Sequence, residues 1–203
     1  MTDRDDIMTS LVEVDDCVLV VIDIQDGFLS RYGEAVSRPL VTKVAWLIQV
    51  AEYLRVPIVA MGEDMEKIGD LNATVGDALP DGTTVHDKDS FNLADNPEIL
   101  AAVDATGRKT AVLVGMETDV CVAQSALGLM GRGYRVVVLG DAVATSPGGE
   151  EVGLSRMRGA GALITSVRAL YCEWLRGVTN CKQMRAAAPP DSPLALRPDN
   201  LGP

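Results

Sequence analysis

The sequence CVLVVIDIQDGF, residues 17 to 28, decides the fold because it opens with an uninterrupted apolar run. Residues 17–22 are rich in β-branched side chains and too few to form a helix. They therefore predict a parallel strand that is buried on both faces. The run stops at Asp23, which places a carboxylate directly after the strand.

Short apolar runs recur along the chain and alternate with segments of helical spacing. Further strands are predicted at residues 57–61, 83–85, 110–114, 135–139 and 162–165, and helices at residues 38–54, 97–106, 119–131, 150–159 and 167–175. This alternation predicts an α/β fold, a three-layer α-β-α sandwich around a mainly parallel, Rossmann-like six-stranded sheet. We expect one domain over residues 1–179 and a loose Pro/Ala-rich tail over residues 180–203. Whether residues 62–82 form a lid is left open.

The composition excludes several classes of partner. Lys and Arg total 18 against 29 Asp and Glu, and the net charge of -11 disfavours binding to nucleic acid or to anionic membrane surfaces. The chain has no apolar run of about 18 residues that would span a bilayer, and its first ten residues do not resemble a signal peptide. We therefore expect a cytoplasmic protein that acts on a small molecule.

An acid, an amine and a thiol follow three of the predicted strands. Asp23 follows the first, Lys88 follows the strand after Gly82, and Cys121 lies shortly after residues 110–114. Because the carboxyl ends of parallel strands share one edge of the sheet, where ligands bind, we expect these side chains to meet there. Taken alone, Asp23 would be an ordinary turn former, Lys88 a surface lysine and Cys121 a core cysteine.

Cys121 is the predicted nucleophile. If Thr118 or Asp119 caps the helix that follows, Cys121 lies in its first turn, where the helix dipole favours an anion. Lys88 would add a nearby positive charge and lower the pKa of the thiol further. Asp23 would accept the thiol proton and later pass it to a leaving group.

Five segments, in this order and spacing, resemble the isochorismatase-like cysteine hydrolases, which include nicotinamidases and N-carbamoylsarcosine amidase. They are VVIDIQDGF, KDSF, VGMETDVCVAQSAL, GYRVVVLGDAVAT and LSRMRGAGALITSVRALYCEWL, and the resemblance covers roughly residues 14–176. It implies the catalytic triad Asp23, Lys88 and Cys121. It further implies homo-oligomers such as dimers or tetramers.

The resemblance also implies the surroundings of the triad. A non-proline cis peptide would join Met116 to Glu117 and turn the Glu117 and Cys121 amides toward the substrate as an oxyanion hole. Pocket-edge positions of many family members correspond to Gln25, Phe28 and Phe91.

The sequence departs from nicotinamidases after the second strand. Nicotinamidases hold a metal there with histidines, whereas this chain reads AMGEDMEKIGD, which has no histidine and in which Glu63, Asp64 and Asp70 are weak candidates for a hard cation. We expect no metal and no cofactor. The cysteine favours hydrolysis of an amide, carbamoyl or ester bond through a thioester.

Three alternatives stay open. Some family members cleave a vinyl ether, as isochorismatases do, and an inactive member would act as an interaction protein. His86, the single histidine, lies two residues before Lys88 and is a rival candidate for the base.

Overall fold

The computed structural model describes residues 11–189 and 192–201. Within them, six strands form one sheet, and every neighbouring pair is parallel. The strands are β1 (Cys17–Ile22), β2 (Ile58–Glu63), β3 (Val85–Lys88), β4 (Thr110–Met116), β5 (Arg135–Ala144) and β6 (Leu163–Thr165). Their order across the sheet is β3-β2-β1-β4-β5-β6, which puts β1 and β4 at the centre.

Helices connect the strands on both faces of the sheet. They are α1 (Asp26–Leu29), α2 (Glu34–Tyr53), α3 (Met65–Ile68), α4 (Ala73–Gly76), α5 (Pro97–Ala105), α6 (Ala123–Gly131), α7 (Gly149–Ala160), α8 (Val167–Leu175) and α9 (Val178–Ala187). A π-helical turn over Thr118–Val122 precedes α6, and 3-10 turns span Val14–Asp16, Leu93–Asp95, Pro193–Ala195 and Pro198–Asn200. None of the helices in the described part of the chain has the length and apolar character needed to cross a membrane.

Alternate side chains of the central strands enter two separate cores. Leu19 and Val21 pack with α2 and α8 on one face, whereas Val18 and Val20 pack with α5, α6 and α7 on the other. A strand buried on both faces has apolar residues at every position, which is why residues 17–22 show no polar alternation. The predicted three-layer sandwich and its six-stranded parallel sheet are confirmed.

The segment after residue 179 corrects one expectation. It contains most of α9, and the side chains of Met184 and Leu201 are buried in the core that α2 and α8 share. An ion pair of 2.6 Å joins Asp199 to Arg168 of α8. The composition of residues 180–203 suggests a loose tail, but two buried apolar side chains pack this segment against the domain. The segment is therefore not loose where the structure describes it.

Residues 62–82 pack against the domain in this structure. Leu71 and Val75 are buried, and Leu71 forms an isolated antiparallel bridge with Gln25. The amide of Asn72 donates to the carbonyl oxygen of Ile24 at 2.7 Å. The segment is therefore tied to the loop that follows β1.

Gly115 marks the closest approach between β4 and β1. Its φ of +128° lies where side chains are strained, and a Cβ atom there would stand 1.9 Å from the carbonyl oxygen of Ile22. We expect Gly115→Ala to lower the free energy of unfolding by about 3 kcal/mol or more, measured by urea unfolding. The matched control is Gly131→Ala in α6, where the added Cβ would have no atom within 4 Å outside its chain neighbours and the backbone of its own helix, and the expected change is within about 1 kcal/mol. Equal stability of the two variants would contradict this packing.

Candidate active site

Four chemically active side chains meet at the carboxyl edge of the sheet. Asp23 follows β1, Glu63 ends β2, Lys88 ends β3, and Cys121 lies in the π-helical turn after β4. The structure thus brings together the three residues that the sequence predicts, and it adds Glu63.

Lys88 is the centre of the cluster. Its Nζ lies 2.8 Å from Asp23 Oδ2, 3.3 Å from Glu63 Oε2 and 3.6 Å from Cys121 Sγ. The Cys121 thiol in turn donates to Glu63 Oε2 at 3.2 Å. The side chains of Lys88 and Asp23 are 0% and 1% exposed, so these charges are held away from water.

Backbone pairing fixes the two carboxylates and the ammonium. Glu63 and Lys88 are direct partners in the register of β2 and β3. Asp23 adopts a left-handed φ of +53°, which Asp tolerates better than most residues, while its amide still donates to the Met61 carbonyl at 3.0 Å. The turn therefore begins at Asp23, and its position is set by the adjacent strand.

Gln25 braces the end of β2. Its side-chain oxygen accepts from the Glu63 amide at 2.8 Å, and its Nε2 donates to the carbonyl oxygens of Glu63 at 3.0 Å and of Gly69 at 2.6 Å. A Cβ at Gly62 would lie 3.1 Å from this side-chain amide, so the brace depends on a glycine there. Gln25 is 0% exposed. The predicted role of Gln25 in a substrate pocket stays a prediction. The observed hydrogen bonds show that its side chain positions the main chain of Glu63.

The resting thiol is protonated, which corrects the expectation of a preformed thiolate. Burial raises the pKa of Cys121, the Asp23 carboxylate raises it further, and Lys88 offsets only part of this. The hydrogen bond to Glu63 also favours the thiol over the thiolate. The helix end and Lys88, which favour a thiolate, are visible in the sequence, whereas the burial of the thiol and its hydrogen bond to the second carboxylate, Glu63, are not.

The two buried charges stay ionised at neutral pH. Burial raises the pKa of Asp23 to about 6, with Lys88 opposing a larger rise. Burial alone would lower the pKa of Lys88, but the attraction of Asp23 and of Glu63 contributes to a net rise. Asp23 is therefore a carboxylate at pH 7 and is able to accept a proton.

The backbone around Cys121 differs from the predicted helix start. The first turn is π-helical, and α6 begins only at Ala123. No side chain caps this turn: the Asp119 carboxylate accepts instead from Thr145 Oγ1 at 2.7 Å, and the hydroxyl of Thr118 is buried. The expected cap by Thr118 or Asp119 is wrong, because the Asp119 carboxylate is engaged by Thr145, which directly follows β5.

The peptide bond that joins Met116 to Glu117 is cis, as the family resemblance implies. The hydroxyl of Tyr32 donates a hydrogen bond to Oε1 of the Glu117 side chain. Glu117 and Cys121 thus flank the turn in which the predicted oxyanion hole would lie. That role stays a prediction.

The other predicted residues make contacts of a different kind. Phe28 is buried in α1 under the guanidinium of Arg31, whose Cζ is 4.7 Å from the ring centre. Phe91 is 48% exposed, and its carbonyl oxygen accepts from Ser125 Oγ at 3.3 Å. His86 lies in β3 opposite Met61. The pocket roles of Phe28 and Phe91 stay predictions.

Asp23, Glu63 and Cys121 are also the types of residue that hold metal ions. Their ligand atoms lie within 4.8 Å of one another. The Lys88 ammonium contacts both carboxylates, at 2.8 and 3.3 Å, so a metal ion bound there would have to compete with it. This arrangement supports the prediction that the site works without a metal.

Glu63 is the site residue that sequence reasoning missed. It is the last residue of β2, in the segment AMGE, just as Lys88 is the last residue of β3 and Asp23 directly follows β1. The rule that placed the other three at the sheet edge applies to it equally. It was considered only as a weak metal ligand in a solvated loop, because the predicted second strand stopped two residues too early.

Comparisons with known proteins agree with this geometry. The family model described as isochorismatase domain matches residues 17–169. A secreted isochorismatase effector of Phytophthora sojae is 33% identical over 157 residues, which cover 75% of this chain and 73% of the relative.

Two solved structures share the architecture. The YcaC protein of Escherichia coli, described as an octameric hydrolase of unknown specificity, superposes with a TM-score of 0.78 at 27% identity and 84% coverage of each chain. The MAR1 ribonuclease of Caenorhabditis elegans superposes with a TM-score of 0.78 at 25% identity, over 89% of this chain and 95% of the other. Since the family model covers well over half of the sequence, the chain belongs to the isochorismatase family of hydrolases.

Proposed function

We propose that the protein is a cysteine-dependent hydrolase that cleaves an amide or carbamoyl C–N bond of a small molecule. The observation that carries the proposal is the buried Lys88 ammonium, which lies 2.8 Å from Asp23 Oδ2 and 3.6 Å from Cys121 Sγ. A nucleophile, a base and a fixed positive charge within mutual reach are the parts that acyl transfer needs.

In the first half of the reaction, the Cys121 sulfur attacks the carbonyl carbon while Asp23 takes the thiol proton. The proton transfer accompanies the attack because the resting thiol is protonated, and Lys88 stabilises the negative charge that develops on sulfur. The amides of Glu117 and Cys121 would stabilise the oxyanion. When the C–N bond breaks, Asp23 returns the proton to the leaving amine, and a thioester remains on Cys121.

In the second half, water hydrolyses the thioester. Asp23, again a carboxylate, takes a proton from the water as its oxygen attacks the acyl carbon. The C–S bond then breaks, the carboxylic or carbamic acid departs, and the proton returns to the Cys121 sulfur. The site regains its starting charges, so no cofactor is consumed.

Other activities fit the site less well. Vinyl ether hydrolysis needs an acid but no sulfur nucleophile, and it would leave the contacts of Cys121 unused. Cleavage of RNA, the activity named for the Caenorhabditis elegans relative, would bring a polyanion to a chain of net charge -11 and to two carboxylates. An inactive interaction protein would have no need of a buried ion pair beside a thiol.

The assembly and the location are proposed more broadly. The octameric Escherichia coli relative supports a homo-oligomer. A dimer or tetramer stays the prediction from the sequence. A cytoplasmic location also stays a prediction, and the Phytophthora sojae relative is named as secreted.

A substrate panel tests the proposed reaction. Small primary amides, carbamoyl compounds, esters, isochorismate and single-stranded RNA are incubated with the protein, and ammonia, alcohol or cleavage products are measured. We expect turnover of C–N substrates and, after an acid quench, an acyl mass on the peptide that contains Cys121. Turnover of isochorismate or RNA alone, with no acyl mass, would overturn the proposal.

A further inference from the structure

We propose that Glu63 selects the substrate: the site takes a neutral or positively charged carbonyl compound that carries an N–H beside the carbonyl, and it rejects anions. This inference rests on the proposed hydrolase function and narrows its substrate class to amides, ureas and carbamoyl compounds. Glu63 acts here as a specificity-determining residue in addition to the triad.

The position of Glu63 puts it on the approach to the sulfur. Its side chain is 17% exposed, whereas the side chains of Lys88 and Asp23 are 0% and 1% exposed. Its Oε2 lies 3.2 Å from Cys121 Sγ. Glu63 is therefore more open to solvent than Lys88 or Asp23, and it lies directly beside the sulfur.

The charge of the cluster disfavours an anion. Asp23 and Glu63 together carry two negative charges when ionised, and Lys88, in contact with both, supplies one positive charge. The four side chains thus hold one uncompensated negative charge while the thiol is protonated. At separations of a few ångströms, in a partly buried site, such a charge weakens the binding of another anion strongly.

The hydrogen-bonding pattern favours an N–H donor. Glu63 Oε2 accepts a hydrogen bond from the Cys121 thiol in this structure. For attack, the carbonyl carbon of the substrate would lie about 3 to 3.5 Å from the sulfur. The N–H group bonded to that carbon would then come within reach of the same Glu63 oxygen. The substrate N–H would then replace the thiol as donor and leave Asp23 as the acceptor for the thiol proton. An ester oxygen has no such hydrogen to offer.

The carboxylate is held in place for this task. The Glu63 main chain is fixed on both sides by the Gln25 side chain, at 2.8 Å through its amide and at 3.0 Å through its carbonyl oxygen. A backbone fixed in this way gives a fixed origin for the side chain, as selection between similar molecules requires.

Two alkylating reagents of nearly equal shape test the inference. Iodoacetamide is neutral and carries a primary amide, whereas iodoacetate carries a carboxylate in the same place. Peptide mass spectrometry gives the rate constant of each reagent at Cys121, and exposed Cys172 gives the intrinsic ratio of the two reagents in the same samples. We expect the preference for iodoacetamide to be at least about tenfold larger at Cys121 than at Cys172.

The variant Glu63→Gln identifies the cause of that preference. It should lower the preference at Cys121 by about tenfold, chiefly through faster reaction with iodoacetate. The matched control Glu66→Gln removes one exposed carboxylate from the same region and should leave the preference unchanged. Equal preferences at Cys121 and Cys172 in the unaltered protein would overturn the inference, even if the Glu63 variant failed to fold. An unchanged preference in a folded Glu63→Gln protein would also overturn it.

The outcomes separate this inference from the proposed function. If the substrate panel shows cysteine-dependent hydrolysis but the reagent preference is missing, only the role of Glu63 fails. If the preference is present but no amide, carbamoyl compound or ester is hydrolysed, the hydrolase proposal fails, while the discrimination of charge at Cys121 stands.

Discussion

Replacing Cys121 by alanine is expected to reduce kcat/KM on the best C–N substrate by about 10⁴-fold or more. The reason is that the proposed thioester forms on this sulfur, and without it Asp23 and Lys88 have no thiol to deprotonate or to stabilise. Steady-state release of ammonia or amine measures the loss, and the unfolding midpoint should change little because a small side chain replaces a small one.

Cys172→Ala is the matched control for the nucleophile. It removes an exposed thiol on α8 and should leave kcat/KM unchanged. A Cys121→Ala protein that keeps more than a tenth of the activity would show that the reaction does not pass through a thioester.

Replacing Asp23 by asparagine is expected to reduce kcat/KM by about 10³-fold, within the usual range for the loss of a general base. The carboxylate must be ionised to accept the thiol proton, and burial raises its pKa to about 6. In the unaltered protein, kcat/KM should therefore be constant between pH 7 and 8 and fall about tenfold per pH unit below 6. In Asp23→Asn the remaining activity should lose this acid limb.

His86→Ala distinguishes the two candidate bases. Imidazole groups in general titrate near the same pH, so the position of the acid limb alone does not identify the base. We expect His86→Ala to keep both the activity and the acid limb. Loss of the limb in His86→Ala, with Asp23→Asn still active, would transfer the role to the histidine.

The fold was predictable because its signal is local and repeated. Residues 17–22 are apolar at every position, as a strand covered on both faces requires, and the same pattern returns in later strands. The carboxyl-terminal segment was misjudged because its docking depends on two separated side chains, Met184 and Leu201. The composition of a segment is an average over its residues, and it does not reveal that one or two side chains pack against a helix far away in the sequence.

The residues that form the site were easier to predict than their protonation. Asp23, Lys88 and Cys121 were placed at one edge by the geometry of parallel strands alone. The protonation of Cys121 was not predictable, because it depends on burial and on the carboxylates that the sheet register brings next to it. Glu63 was within reach of the same rule, but only if β2 had been extended to its last residue.

The four active side chains lie at the ends of β1, β2, β3 and β4, which follow one another along the chain. The polypeptide can therefore be cut between β3 and β4 so that the four side chains fall on two fragments. Gly107 lies in an exposed turn just before β4, after Asp23, Glu63 and Lys88 and ahead of Cys121. A protein split at this turn would yield one fragment with the base and the ammonium and another with the nucleophile. Neither half would be an enzyme, and catalysis would return only on reassembly. The hydrolase thus offers a complementation reporter whose signal is its own chemistry.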